Sequence, residues 1–240
     1  MSNQDRYEIK SEQKWAIISL MESPNNSSIS ANRQIALAAG TVMIAYVFSS
    51  VINLAKGVVI LRAFGTGMEN EAFWAANRVS EVLFNLVAGG ALASAFIPTF
   101  SSFLARKQKE NAWKLASAII NLVFLIISLL AVLAAIFAPQ VVRYILAPGF
   151  VGDPEKFQLT VQLLRIILPS TVIFSISGLI MGILNAHQSF LFPALAPSMY
   201  SLGMIFGVLF LSPSMGIFGL AWGVVLGASF HLIVQLPKLF

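Results

Sequence analysis

Residues 113–142, WKLASAIINLVFLIISLLAVLAAIFAPQVV, decide the fold, because after Lys114 no charged side chain appears until Arg143. A helix needs roughly 20 mostly apolar residues to cross about 30 Å of hydrocarbon. This run exceeds that length and leaves no face for water, so it is a membrane span rather than a core helix of a soluble domain. Five further segments have the same character: residues 35–61, 72–103, 159–184, 192–211 and 217–236. The second of the six, 72–103, is the longest and least hydrophobic. Gly89-Gly90 and Pro98 predict that it bends or breaks near its end. The expected fold is an all-α polytopic membrane protein, a six-transmembrane-helix bundle over residues 35–240 behind a polar cytosolic tail of residues 1–34.

Composition agrees. The chain is 58% hydrophobic and 10% charged, whereas soluble domains are about half apolar and a quarter charged. The absence of Cys excludes disulfides, thiol nucleophiles and Cys-ligated metal centres. The net charge of +5 comes from Lys and Arg at the ends of apolar runs, which points to anionic lipid headgroups and not to nucleic acid. The densest block, Arg106-Lys107-Gln108-Lys109 with Lys114, belongs in the cytoplasm by the positive-inside rule. Arg6, Lys10, Lys14 and Arg33 in the tail and Lys238 at the other end then fall on the same side, giving N-in, C-in in a cytoplasmic membrane. Trp15 to Met21 is too short for a signal-peptide core and is followed by Glu22. It is either a brief surface helix or part of an irregular tail.

Polar residues inside a membrane are costly and point to function. Ser49, Asn53 and Lys56 share one face of the first span, and Arg78, Glu81 and Asn85 one face of the second, with Asn77 beside them. Gln158, Gln162 and Arg165 open the fourth, while Ser117, Asn121 and Ser128 form a looser stripe in the third. A shared hydrated cavity explains the stripes economically. The bland alternatives are that Lys56 and Arg165 snorkel to the interface and that Arg78 and Glu81 only pair with each other. Gly178 with Gly182, and Gly219, Gly223 and Gly227, allow close helix approach within the bundle. His187 and His231 have no carboxylate near them in sequence and make no metal site. No catalytic or nucleotide-binding signature is present, so the expectation is a non-enzyme without cofactor or metal.

Several stretches resemble the MurJ/MviN lipid II flippase family. Arg62-Ala63-Phe64-Gly65-Thr66-Gly67-Met68 followed by Glu71-Ala72-Phe73 is similar to its R-x-F-G-x-G-x-x-x-D-A-F segment, and Ala95-Phe96-Ile97-Pro98 to its A-F-x-P. Ala147-Pro148-Gly149-Phe150 matches its outer-loop A-P-G-F. Gly182-Ile183-Leu184-Asn185 with Phe190, Pro193, Ala194, Ala196 and Pro197 resembles its G-x-L-N and F-x-x-P-A-x-A-P run, and Gln235-Leu236-Pro237 its Q-x-P. The family belongs to the multidrug, oligosaccharidyl-lipid and polysaccharide exporter superfamily, built as two six-helix lobes about a central cavity. The resemblance therefore implies the N-terminal lobe of a flippase that exports lipid II, or another undecaprenyl-diphosphate-linked glycan, by alternating access. That activity serves peptidoglycan biosynthesis and cell shape. The implied partners are that lipid, membrane lipids and a second six-helix lobe, in the same gene product or a separate chain. The chain ends where a first lobe ends, so a longer protein or a paired paralogue is expected.

Departures from the pattern sharpen the site. Where the family has S-R-x-x-G-F-x-R in its first helix, this chain has Ser49-Ser50-Val51-Ile52-Asn53-Leu54-Ala55-Lys56, which retains one cation as Lys56. Where the family has a Pro and an Arg pair before A-E-G-A, this chain has Ser80, Phe84, Asn85 and Ala88-Gly89-Gly90-Ala91. The candidate substrate-binding residues are Lys56, Arg78, Glu81, Asn53, Asn85, Arg62 and Glu71. The alternatives to a lipid II flippase are a cation-coupled drug or polysaccharide exporter using Glu81, and a transport-silent membrane scaffold.

Overall fold

A computed structural model describes residues 25–85 and 96–239. Among them the secondary structure is helical throughout, with no strand. The principal helices are α1 (Asn25–Phe64), α2 (Met68–Asn85), α3 (Ile97–Ala105), α4 (Lys109–Ile136), α5 (Pro154–Ala186), α6 (Leu191–Phe206) and α7 (Ile217–Ile233). The tail's Trp15 to Met21, the Gly89-Gly90 pair and the Phe84 side chain lie outside the described residues. Residues 25–34, within the stretch assigned by its polarity to the tail, are helical as part of α1.

Among the described residues five helices are long and apolar enough to cross a membrane: Ala39–Phe64, Lys109–Ile136, Pro154–Ala186, Leu191–Met215 and Ile217–Lys238. This corrects the expected count of six single spans. Within the stretch 72–103 the described residues hold α2 to Asn85 and α3 from Ile97, and α2 is not apolar enough to count as a span. The reason lies in α2, where Glu69, Glu71, Arg78 and Glu81 with Asn70, Asn77 and Asn85 leave an apolar stripe on one side only. Pro98, in the first turn of α3, needs no intrahelical partner there.

The chain divides into two units, Met1–Ile44 and Ala45–Phe240. The first contributes the opening turns of α1. In the second, α5 is the central element: 67% of its most apolar window is buried, against 11% for α4. It packs on α2, α4 and α7 and supplies both core clusters. Leu163, Leu164 and Ile167 meet Phe73 of α2 and Leu220 of α7 in one, and Leu179 and Ile183 meet Phe100 and Ile127 in the other. Pro169 removes one N–H from the α5 ladder, and just beyond it Ser170 donates to the Ile167 carbonyl and Thr171 to that of Leu168, both at 2.7 Å. The outer face of α4, with Leu122, Leu125, Leu129 and Ile136, is exposed, as suits a helix facing lipid.

Two features set the geometry. Gly65 (φ +64°) ends α1, its N–H donating to the Leu61 carbonyl at 2.9 Å while its carbonyl accepts from Asn70 Nδ2 at 2.7 Å, so α2 starts after three residues. Helices α6 and α7 touch through their backbones, since a Cβ placed at Gly203 would lie 2.2 Å from Gly227 Cα. The glycines thus act as spacers within the bundle.

Candidate functional site

The periodicity of α2 builds the site. Phe73, Ala76, Asn77 and Ser80 are buried, while Trp74, Arg78, Glu81 and Asn85 are exposed on the neighbouring face. Ser80 Oγ meets Ser170 Oγ of α5 at 3.2 Å, fixing the rotation of the helix. Asn77 Nδ2 donates to Glu81 Oε1 at 3.2 Å, which orients the carboxylate. Glu81 then stands where two cavities meet, and lines both.

The first cavity, about 300 Å³, is mainly apolar and is enclosed by Tyr46, Phe174, Pro193, Pro197 and Tyr200, with Ser80, Glu81 and His231 as its polar points. Lys56 reaches it from α1: its Nζ lies 5.7 Å from the Tyr200 ring centroid and is in electrostatic contact with Glu81. The Tyr200 hydroxyl side approaches Asn77 and Glu81. Tyr200 stacks edge-on to Phe174 at 4.9 Å, and Phe174 to His231 at 5.4 Å. Behind them Ser177 Oγ contacts His231 Nδ1 at 2.6 Å, and Gln235 Nε2 donates to Ser177 Oγ at 2.7 Å and to the His231 carbonyl at 2.8 Å. Ser49 closes the α1 side, its hydroxyl donating to the Ala194 carbonyl at 3.0 Å and meeting Ser198 Oγ at 2.5 Å.

The second cavity, about 480 Å³, lies between α2 and the connection from α4 to α5, lined by Trp74, Ala75, Arg78, Glu81, Leu146, Ala147 and Phe150. Lys156 caps Phe150 at 4.0 Å from its centroid and pairs with Glu71. That pair ties the first turn of α2 to the first turn of α5.

Of the seven candidates, the structure brings Lys56 into electrostatic contact with Glu81 and sets Arg78 beside Glu81 in the wall of the second cavity. Arg78 and Glu81 do not pair with each other: the ion pairs among the described residues are Lys156–Glu71 and Lys114–Glu110. Glu71 is engaged by Lys156, at the side of the second cavity. Asn53, Arg62 and Asn85 are exposed and line neither cavity. Gln158 and Gln162 are exposed as well, and Arg165 Nε donates to the Ala135 carbonyl at 3.1 Å, so the stripe that opens α5 does not join the seam. Sequence reasoning missed Tyr200, Trp74 and Phe150. A Tyr in an apolar span carries a hydroxyl that must find a partner, and that was the available signal. Among the described residues no cluster of His, Asp and Glu could hold a metal ion. Chemically the seam offers cations for an anionic group, a carboxylate to hold them in its absence, and aromatic faces on both sides.

The family model described as lipid II flippase MurJ matches residues 60–240. The chain is 33% identical over 193 residues to the lipid II flippase MurJ of Burkholderia cenocepacia, covering 80% of this chain and 37% of that protein. It is 31% identical over 204 residues to a probable lipid II flippase MurJ of Buchnera aphidicola subsp. Acyrthosiphon pisum, covering 83% and 39%. A solved lipid II flippase MurJ in an inward closed conformation superposes with a TM-score of 0.69 at 28% identity, over 82% of this chain and 41% of that one. An outward-facing multidrug resistance MATE transporter gives a TM-score of 0.64 at 18% identity, a likeness of fold alone. The chain spans about two fifths of the length of the relatives it matches.

Proposed function

Because this multi-pass membrane chain belongs to the lipid II flippase MurJ family, we propose that it forms the N-terminal lobe of a flippase for an undecaprenyl-diphosphate-linked glycan, with lipid II as the leading substrate. In this reading the lobe lies in a bacterial cytoplasmic membrane with both ends inside, its polar tail of residues 1–34 in the cytosol and its bundle over 35–240. A second lobe, in the same protein or another chain, completes the cavity, and the two rock about a site near the bilayer midplane.

The observation that supports the proposal is that Glu81 is shared: it interacts with Lys56, which lies over Tyr200, and it lines the second cavity with Arg78. In this reading a diphosphate entering the seam meets both cations. Glu81 balances Lys56 while the site is empty, and the cations are screened less here than at a free surface. Asn53, Asn85, Arg62 and Glu71 are assigned to the rim and the outer turn, where they meet the cargo during entry and exit.

The test separates binding from folding. Lys56→Ala should weaken binding of undecaprenyl diphosphate to the purified chain in nanodiscs more than it lowers the thermal unfolding midpoint. Glu81→Ala should do the reverse, because it leaves Lys56 without its compensating charge. Undiminished binding in Lys56→Ala would refute the assignment.

A further inference from the structure

The second cavity is not accounted for by diphosphate recognition. At about 480 Å³ it falls in the range of small-molecule sites, about 300–1,000 Å³. Its lining is of two kinds. Trp74 is 39% exposed and meets Phe73 edge-on at 5.3 Å, which leaves part of its indole uncovered. Phe150 shares the cavity wall with it, its ring capped by Lys156 at 4.0 Å. Arg78 and Glu81 supply the polar part of the same wall. Arg78 is in no ion pair among the described residues, and the hydrogen bond to Glu81 comes from Asn77 on its own helix. Both keep unused hydrogen-bonding capacity.

A pyranose ring matches this arrangement. Its axial C–H face is apolar and lies flat on an aromatic ring, whereas its equatorial hydroxyls leave in the plane and need donors and acceptors at the edge. A purely apolar ligand would strand Arg78 and Glu81, and a bare anion would leave both Trp74 and the acceptor capacity of Glu81 unused. We propose that this cavity seats a sugar ring of the cargo glycan, stacked on Trp74, with Arg78 donating to ring hydroxyls and Glu81 accepting from them. The seat adjoins the Lys56 cavity through Glu81, so one ligand can place its phosphates on one side and its first sugars on the other. This rests on the reading of the cargo as a lipid-linked glycan.

The experiment titrates the purified chain in nanodiscs with chitobiose, a soluble β-linked disaccharide, and follows saturation transfer to the sugar protons. No lipid diphosphate is present, so failure here leaves diphosphate recognition untouched, and failure of diphosphate binding leaves this titration readable. The wild type should bind. Trp74→Ala should weaken binding about 3- to 10-fold, the worth of one aromatic contact, while Trp74→Phe should retain most of it and Phe150→Leu should lose part. Trp222→Phe, at an exposed Trp of α7 that lines neither cavity, should leave it unchanged. Absence of binding to the wild type would overturn the proposal, as would full binding in both Trp74→Ala and Phe150→Leu, or equal loss in Trp222→Phe.

Discussion

Replacing Gly203 by Ala should separate the two helices on which the first cavity is built. The new methyl would stand 2.2 Å from Gly227 Cα and 2.4 Å from its N. Carbon atoms pack at about 3.5–4.0 Å, so α6 and α7 must move apart by roughly 1.5 Å, and neither obstacle is a side chain able to turn away. Overpacking costs about 1–3 kcal/mol where neighbours can adjust; backbone against backbone belongs at the upper end. For a chain of this size each kcal/mol lowers the melting point by about 2–4 °C, so the expected fall is roughly 6–12 °C. Thermal unfolding in detergent, followed by intrinsic fluorescence, measures it. Gly57→Ala is the control, because nothing lies within 4 Å of its Cβ position, and relief of helical glycine should leave it neutral or up to about 1 kcal/mol more stable. Gly227→Ala adds a functional arm: its Cβ would meet the Tyr200 carbonyl at 2.5 Å and the Tyr200 ring at 2.9 Å, so the ring beneath Lys56 must shift and lipid binding should weaken. A Gly203→Ala protein that melts as high as the wild type would refute the close backbone contact.

Two further outcomes follow from topology and from the single lobe. The chain contains no Cys, so single cysteines at Gln108 and Gly152 in intact cells should be shielded from, and open to, an impermeant maleimide respectively; the opposite pattern would invert the proposed orientation. Reconstituted alone, the chain should move fluorescent lipid no faster than empty liposomes, since one bundle cannot alternate access about a site, and robust flipping by a demonstrated monomer would contradict this.

The spans were legible where hydrophobicity is continuous. Residues 113–136 and 159–184 lie on α4 and α5, as such continuous apolar runs require. The second segment was not legible as it stands, because α2 buries only Phe73, Ala76 and their neighbours and keeps a charged face, so length alone could not separate it from α3. The site was half legible. Helical spacing put Arg78 and Glu81 on one face, yet it also invited an i, i+3 pair, whereas the Glu81 carboxylate takes a hydrogen bond from Asn77 and faces Lys56. Lys56 meets Tyr200, and Trp74 shares a cavity with Phe150, from far apart in the chain, and no local pattern announces such meetings. His231 looked isolated in its apolar helix; its partners Ser177 and Gln235 are supplied by α5 and by the turn after α7.

The most direct test of the central claim is competition between undecaprenyl diphosphate and undecaprenyl monophosphate for the purified chain, read as bound lipid by native mass spectrometry in wild type and Lys56→Ala. A charge-assisted contact that only the second phosphate can make is worth about 1.5–3 kcal/mol, so the wild type should prefer the diphosphate at least about tenfold. Lys56→Ala should lose most of that preference while remaining folded. Equal uptake of the two lipids by the wild type, or an undiminished preference in Lys56→Ala, would contradict the account.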